Sequence, residues 1–205
     1  MTPYWTLSLL TLLLPHSLIA NTFQQQVTNL KNQPTPSVFR SVINDRPRML
    51  TILLSDSHAI SYDTGIASIG LAWKSHQAPP VNLIGAVYNG KHGPQPTTNG
   101  NMLLVNAKPE FSTPLGSIHF LSHSFKEDKI ILRYAIKDSS GTHLATIEEI
   151  PQWHQQTLSR SIRLTPAHLG SKVTFTPAAG LHWKYNNQAC QSLNLAQNRT
   201  VTTSL

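Results

Sequence analysis

Lys129-Ile130-Ile131-Leu132-Arg133-Tyr134-Ala135-Ile136-Lys137 is the stretch that decides the fold class. In an extended chain successive side chains point to opposite faces. Ile130, Leu132, Tyr134 and Ile136 therefore share one face, with Arg133 and Lys137 on the other. The run ends in Asp138-Ser139-Ser140-Gly141, a strong turn signal, and resumes in residues 142–149 as the partner strand of a hairpin. Leu158-Ser159-Arg160-Ser161-Ile162-Arg163-Leu164 alternates in the same way: Leu158, Ile162 and Leu164 lie on one face with Arg160, opposite Ser159, Ser161 and Arg163. One-sided alternation joined by short connections predicts an all-β fold, antiparallel sheets packed as a β-sandwich, rather than a parallel α/β fold.

Outward from this hairpin, short apolar runs punctuated by Pro, Gly, Asn and Asp continue the pattern. They predict strands near residues 49–54, 59–62, 66–73, 81–88, 102–105, 117–121, 172–176 and 181–185. The expected sandwich domain covers 38–186, followed by a polar tail, 187–205. Residues 21–37 are a polar lead-in or linker with Gln24-Gln25-Gln26, Pro34 and Pro36, in which Phe23, Val27 and Leu30 sit at the spacing of one short helix.

Residues 1–20 hold the apolar run Leu7-Ser8-Leu9-Leu10-Thr11-Leu12-Leu13-Leu14 and end in Leu18-Ile19-Ala20, with a small residue where a signal peptidase cuts. This reads as a signal peptide, although no Lys or Arg precedes the run. Pro15 and His16 interrupt it short of the roughly 20 residues that cross a bilayer, so no stable membrane span is expected after processing. A periplasmic or secreted location follows.

Sixteen Lys and Arg against nine Asp and Glu give a formal charge of +7, and none of these residues lies in the first twenty. A basic surface favours anionic partners: polysaccharide, lipopolysaccharide, lipid headgroups or an acidic protein. The cations are scattered and carry no nucleic-acid motif, so nucleic acid is not an expected partner. Cys190 is the single cysteine, which rules out an intramolecular disulfide and the Cys-x-x-Cys-His attachment of a c-type haem. No cofactor is expected. There is no Gly-x-Ser-x-Gly elbow, phosphate-cradling Gly-Lys-Thr loop or dinucleotide fingerprint, and three large enzyme classes lose support with them.

The leading candidate site is the run Gly85-Ala86-Val87-Tyr88-Asn89-Gly90-Lys91-His92-Gly93-Pro94-Gln95-Pro96, a strand entering a loop rich in polar groups. Loops held by a rigid sheet concentrate binding groups, and Tyr88, Asn89, Lys91, His92 and Gln95 are the expected ligand contacts. The same residues also suit an ordinary turn. His119 and His123 alternate with Ile118 and Phe120 as in a strand, and no Glu stands between them, so no metal site is expected. Asp56, Asp63, Glu148 and Glu149 are the carboxylates available for acid and base work on a sugar; Asp63, before Thr64-Gly65, suits a turn. Trp73, Trp153 and Trp183 suit stacking platforms or core, with Trp73 on the core side.

Arg46-Pro47-Arg48-Met49-Leu50-Thr51, Tyr62-Asp63-Thr64, Leu71-Ala72-Trp73-Lys74, and Gly85 to Tyr88 with His92-Gly93-Pro94-Gln95-Pro96-Thr97 follow one another in order. These blocks resemble an uncharacterised β-rich domain of secreted bacterial c-type cytochrome proteins, over about residues 39–177. The resemblance implies an exported β-sandwich working as a recognition or docking module near periplasmic oxidation systems, with a c-type cytochrome as a partner. The haem-binding part is absent here, so electron transfer by this chain is not implied. The leading expectation is a non-catalytic module binding a carbohydrate or an anionic envelope component. Two rivals stand beside it: a carbohydrate-active enzyme using His92 with Asp63 or Asp56, and a structural partner of an envelope electron-transfer complex.

Overall fold

The computed structural model describes residues 35–82, 96–196 and 198–205. In chain order the strands are β1 (Ser37–Ile43), β2 (Arg46–Leu53), β3 (His58–Asp63), β4 (Ser68–Lys74), β5 (Val81–Asn82), β6 (Thr97–Thr98), β7 (Asn101–Val105) and β8 (Phe111–Ser112). The chain continues with β9 (Ser117–Lys126), β10 (Lys129–Lys137), β11 (His143–His154) and β12 (Thr157–Thr165), then a short 3-10 helix (Ala167–Lys172). It closes with β13 (Thr174–Phe175), β14 (Lys184–Tyr185), β15 (Gln188–Ala189), β16 (Leu193–Asn194) and β17 (Arg199–Ser204). The fold is all-β and antiparallel, as the alternation predicts.

Two sheets carry the architecture. One has five strands in the order β1-β2-β3-β4-β7, and the other seven in the order β15-β14-β17-β12-β11-β10-β9. Both are largely meanders because adjacent strands are joined by tight turns. Asn44 and Asp45, Glu127 and Asp128, Gln155 and Gln156, and Asn186 and Asn187 each form a consecutive pair at positive φ. That geometry matches the twist of a two-residue hairpin. The turn at Asp138 forms as read: the Asp138 carboxylate accepts the backbone N–H groups of Ser140 and Thr142, and Gly141 supplies φ +85.

The inner faces of the two sheets close on one core. Leu50, Ile52, Ile60 and Tyr62 from the first meet Ile130, Leu132, Tyr134, Ile136, Ile147, Leu158, Ile162 and Leu164 from the second. β10 buries the face read from its sequence, and β12 turns Arg160 inward with Leu158, Ile162 and Leu164. Strands β3 and β4 are buried on both faces, and Trp73 is fully buried there.

The segment 187–205 differs from its reading as a polar tail. It contains β15, β16 and β17, and β17 pairs with β12 on one side and β14 on the other. Val201 and Thr203 point inward and are buried, while Thr200 and Ser204 face out. Thr-rich alternation makes a half-buried strand without an apolar run. The 3-10 helix also takes residue 172, so the strand expected over 172–176 shrinks to Thr174–Phe175.

Candidate functional site

Two constellations of charged side chains stand out, one sealed in the core and one open to solvent. The sealed one is built around Arg160. Its Nε donates to Glu149 Oε1 at 2.6 Å, while its two terminal nitrogens donate to Glu110 Oε1 at 2.6 Å and Oε2 at 2.9 Å. Glu110, in the loop between β7 and β8, also accepts the backbone N–H groups of Ile69 and Ala178 and the Ser68 hydroxyl. Glu149 accepts the hydroxyls of Tyr62 and Tyr134. The guanidinium lies over the rings of Phe175, Trp183 and Tyr62, 4.9, 5.2 and 5.8 Å from their centroids.

Arg160 and Glu149 are 0% exposed, and Glu110 is 1%. Burial pushes both tyrosine hydroxyls well above their ordinary pKa, with the Glu149 charge adding to the shift. For Arg160, burial alone would favour the neutral form, but Glu110 and Glu149 outweigh it and the guanidinium stays charged. Buried charges persist only when paired and hydrogen-bonded. This cluster ties β3, β10, β11, β12 and the β7–β8 loop together and is a clasp between the sheets, with no exposure through which a ligand could reach it.

The open constellation lies on the outer face of the seven-stranded sheet. Register places Arg133 opposite Glu148 and Glu148 opposite Arg163 on three adjacent strands. Strands sit about 4.8 Å apart, so the two arginine backbones are roughly 10 Å apart with the carboxylate between them. Arg133 Nε donates to Glu148 at 3.0 Å, Arg163 donates to its other oxygen, and a second Arg133 nitrogen donates to Ser124 Oγ at 2.9 Å. Hydrogen bonds from Arg163, and then from Arg133, hold the Glu148 carboxyl below the usual carboxylate range against the opposing effect of burial.

These residues border a groove of about 550 Å3. Lys126, Lys129, Arg133, Arg163 and Arg199 line it against Glu127 and Glu148, five cations to two carboxylates, a net +3. Ile131 and Ile150 form its floor, with Ser161 and Thr200 beside them, their hydroxyls 3.1 Å apart. Arg199 closes one end, donating to the Tyr185 hydroxyl and, at 3.3 Å, to the Asn194 carbonyl. Arg163 is the most available cation of the central row, with its side chain 58% exposed against 34% for Arg133.

The sequence-predicted contacts Tyr88, Asn89, Lys91, His92 and Gln95 lie outside the described residues; β5 and β6, which flank that segment, pair with each other. The carboxylates offered for sugar chemistry are dispersed. Asp63 accepts the Gly65 N–H in its turn and stands 3.9 Å from Arg46, and Asp56 is exposed in a bend. Glu149 is in the core clasp, while its neighbour Glu148 faces the groove. Trp183 is buried, its indole N–H donated to the Ala178 carbonyl. Trp153 stacks on His58 at 4.3 Å. None of these tryptophans lines the groove. His119 is exposed beside Ser117, and His123 lies on the other face, its pKa lowered by burial and by Arg40. Among the described residues no group of three or more His, Cys, Asp or Glu could hold a metal ion. Burial raises the Cys190 thiol pKa, which disfavours the reactive thiolate.

Comparison with known proteins finds no matching family model, no similar curated protein and no similar solved structure.

Proposed function

We propose that this chain acts outside the cytoplasm as a non-catalytic recognition module that docks an anionic component of the cell envelope in the groove of the seven-stranded sheet. The observation that carries the reading is the cross-strand row Arg133, Glu148 and Arg163, in which two guanidinium groups are hydrogen-bonded to one carboxylate at the border of a groove of net +3. Guanidinium forks that are already oriented lose less side-chain entropy when they take an oxyanion. Export is supported by the apolar segment in residues 1–20, and the overall +7 supports long-range attraction of an anionic surface. The non-catalytic part of the reading rests on the carboxylates: Glu148 is held between two arginines, Glu149 is locked in the core, and Asp63 serves its turn.

Titration of the purified protein with dextran sulfate, followed by calorimetry, tests the reading. At 50 mM salt the groove variant Arg163→Glu weakens binding by about tenfold or more, and raising salt weakens wild-type binding steeply because exposed charges are screened over about 8 Å at physiological ionic strength. Equal affinity of wild type and Arg163→Glu overturns the assignment to this groove.

A further inference from the structure

The groove is more than a patch of positive charge, and the difference identifies a ligand class. Its cations stand around a floor of another chemistry. Ile150 projects outward from β11 into the groove with the edge of Ile131, 9% exposed, beside it on β10, and the Ser161 and Thr200 hydroxyls continue the floor across β12 and β17. Glu148 stands within the cationic row, ionised and hydrogen-bonded by both arginines. A chain of bare anionic groups gains nothing from two isoleucines and offers no hydroxyl to donate to that carboxylate.

A sugar ring uses every one of these features. One face of a pyranose is a sheet of C–H groups that covers aliphatic side chains, and its rim carries hydroxyls that donate to a carboxylate and exchange hydrogen bonds with Ser and Thr. The planar fork of an arginine donates two parallel N–H groups to a tetrahedral oxyanion. Arg163 is exposed enough to turn such a face outward, and Arg133, fixed by Glu148 and Ser124, backs it. The volume of about 550 Å3 lies inside the range of roughly 300–1,000 Å3 typical of small-ligand sites and admits a short oligosaccharide.

On the reading of the groove as an anion-docking site, we infer that its ligand is a saccharide carrying sulfate or phosphate esters: the ester sits on Arg163 and Arg133, the ring lies over Ile131 and Ile150, and the ring hydroxyls reach Glu148 and Ser161.

The test uses a sulfated heparin disaccharide, its desulfated counterpart, a phosphorylated disaccharide, tripolyphosphate and vesicles containing phosphatidylglycerol, each titrated into the full chain at 50 mM salt. An ester-bearing disaccharide binds at least tenfold tighter than both tripolyphosphate and the desulfated sugar, and the tighter of the two ester arms identifies sulfate or phosphate. Ile150→Ser and, separately, Ser161→Val weaken the disaccharide about fivefold and leave tripolyphosphate unchanged, whereas Arg163→Gln weakens both. Both floor positions face outward, so circular dichroism of either variant matches wild type. If tripolyphosphate or the vesicles bind as tightly as the disaccharides and the floor variants change nothing, the saccharide assignment is overturned while the groove remains an anion site. If none of the probes binds, the docking reading falls with it.

Discussion

Replacing Arg160 with Met keeps most of the side-chain volume and removes the one cation that, among the described residues, is bonded to Glu110 and Glu149. Removing one partner of a buried ion pair costs about 3–5 kcal/mol, because a charge is left in the interior uncompensated. Here two carboxylates are stranded at once, but neither is bare: Glu110 keeps the Ser68 hydroxyl and the Ile69 and Ala178 N–H groups, and Glu149 keeps the two tyrosine hydroxyls. Those remaining donors keep the loss within that range, which for a domain of this size lowers Tm by about 6–20 °C at roughly 2–4 °C per kcal/mol. Urea unfolding at pH 7 measures it. Adding Glu110→Gln and Glu149→Gln to Arg160→Met recovers part of the loss by removing both stranded charges, but not all of it, because the Ile69 and Ala178 N–H groups donate to different oxygens of Glu110 and one of them then faces the amide NH2. A loss under about 1 kcal/mol at pH 7 refutes the reasoning that the cluster clasps the sheets through paired charge.

His58 is buried against Trp153, its Nε2 has no hydrogen-bond partner among the described residues, and burial followed by the nearby Lys74 charge lowers its pKa. The neutral ring is the form the fold favours, so stability is complete above the unfolded value near pH 6.5 and declines below it. His58→Phe flattens part of the decline between pH 7 and pH 5 in thermal melts, and an unchanged slope contradicts the assignment. Gly100 has φ +121, and a Cβ there would stand 2.2 Å from the Lys74 carbonyl oxygen. Gly100→Ala therefore lowers stability by about 2 kcal/mol or more, read as a shifted urea midpoint with an unchanged m-value.

The sheets were legible where alternation is strong. The β10 run shows its buried face in its own residues, and even the inward turn of Arg160 follows from its parity with Leu158 and Ile162. Its partner Glu110 carries no such mark, because it sits in a loop outside any periodic pattern and meets Arg160 only through the tertiary fold. β17 is hidden for a different reason: Arg-Thr-Val-Thr-Thr-Ser has one strongly apolar residue, and its place in the sheet comes from pairing with β12. The groove is legible only in fragments. Arg133 and Arg163 can each be placed on an outer face by parity, yet thirty positions separate them in the chain, and only the strand order β10-β11-β12 brings both to Glu148. The outward pattern Lys129, Ile131, Arg133 beside Ser159, Ser161, Arg163 was the signal available, a mixed apolar and cationic face where water-facing strands are usually only polar.

The central claim, that the outer face of the seven-stranded sheet holds the ligand, is tested most directly by mapping backbone amide chemical shifts during titration with the sulfated heparin disaccharide. Saturable shifts concentrated on Arg133, Glu148, Ile150, Ser161, Arg163 and Thr200, and lost in Arg163→Glu, are the expected result. Shifts confined to Tyr88 through Gln95 or to the five-stranded sheet, with the groove residues unmoved, would contradict it.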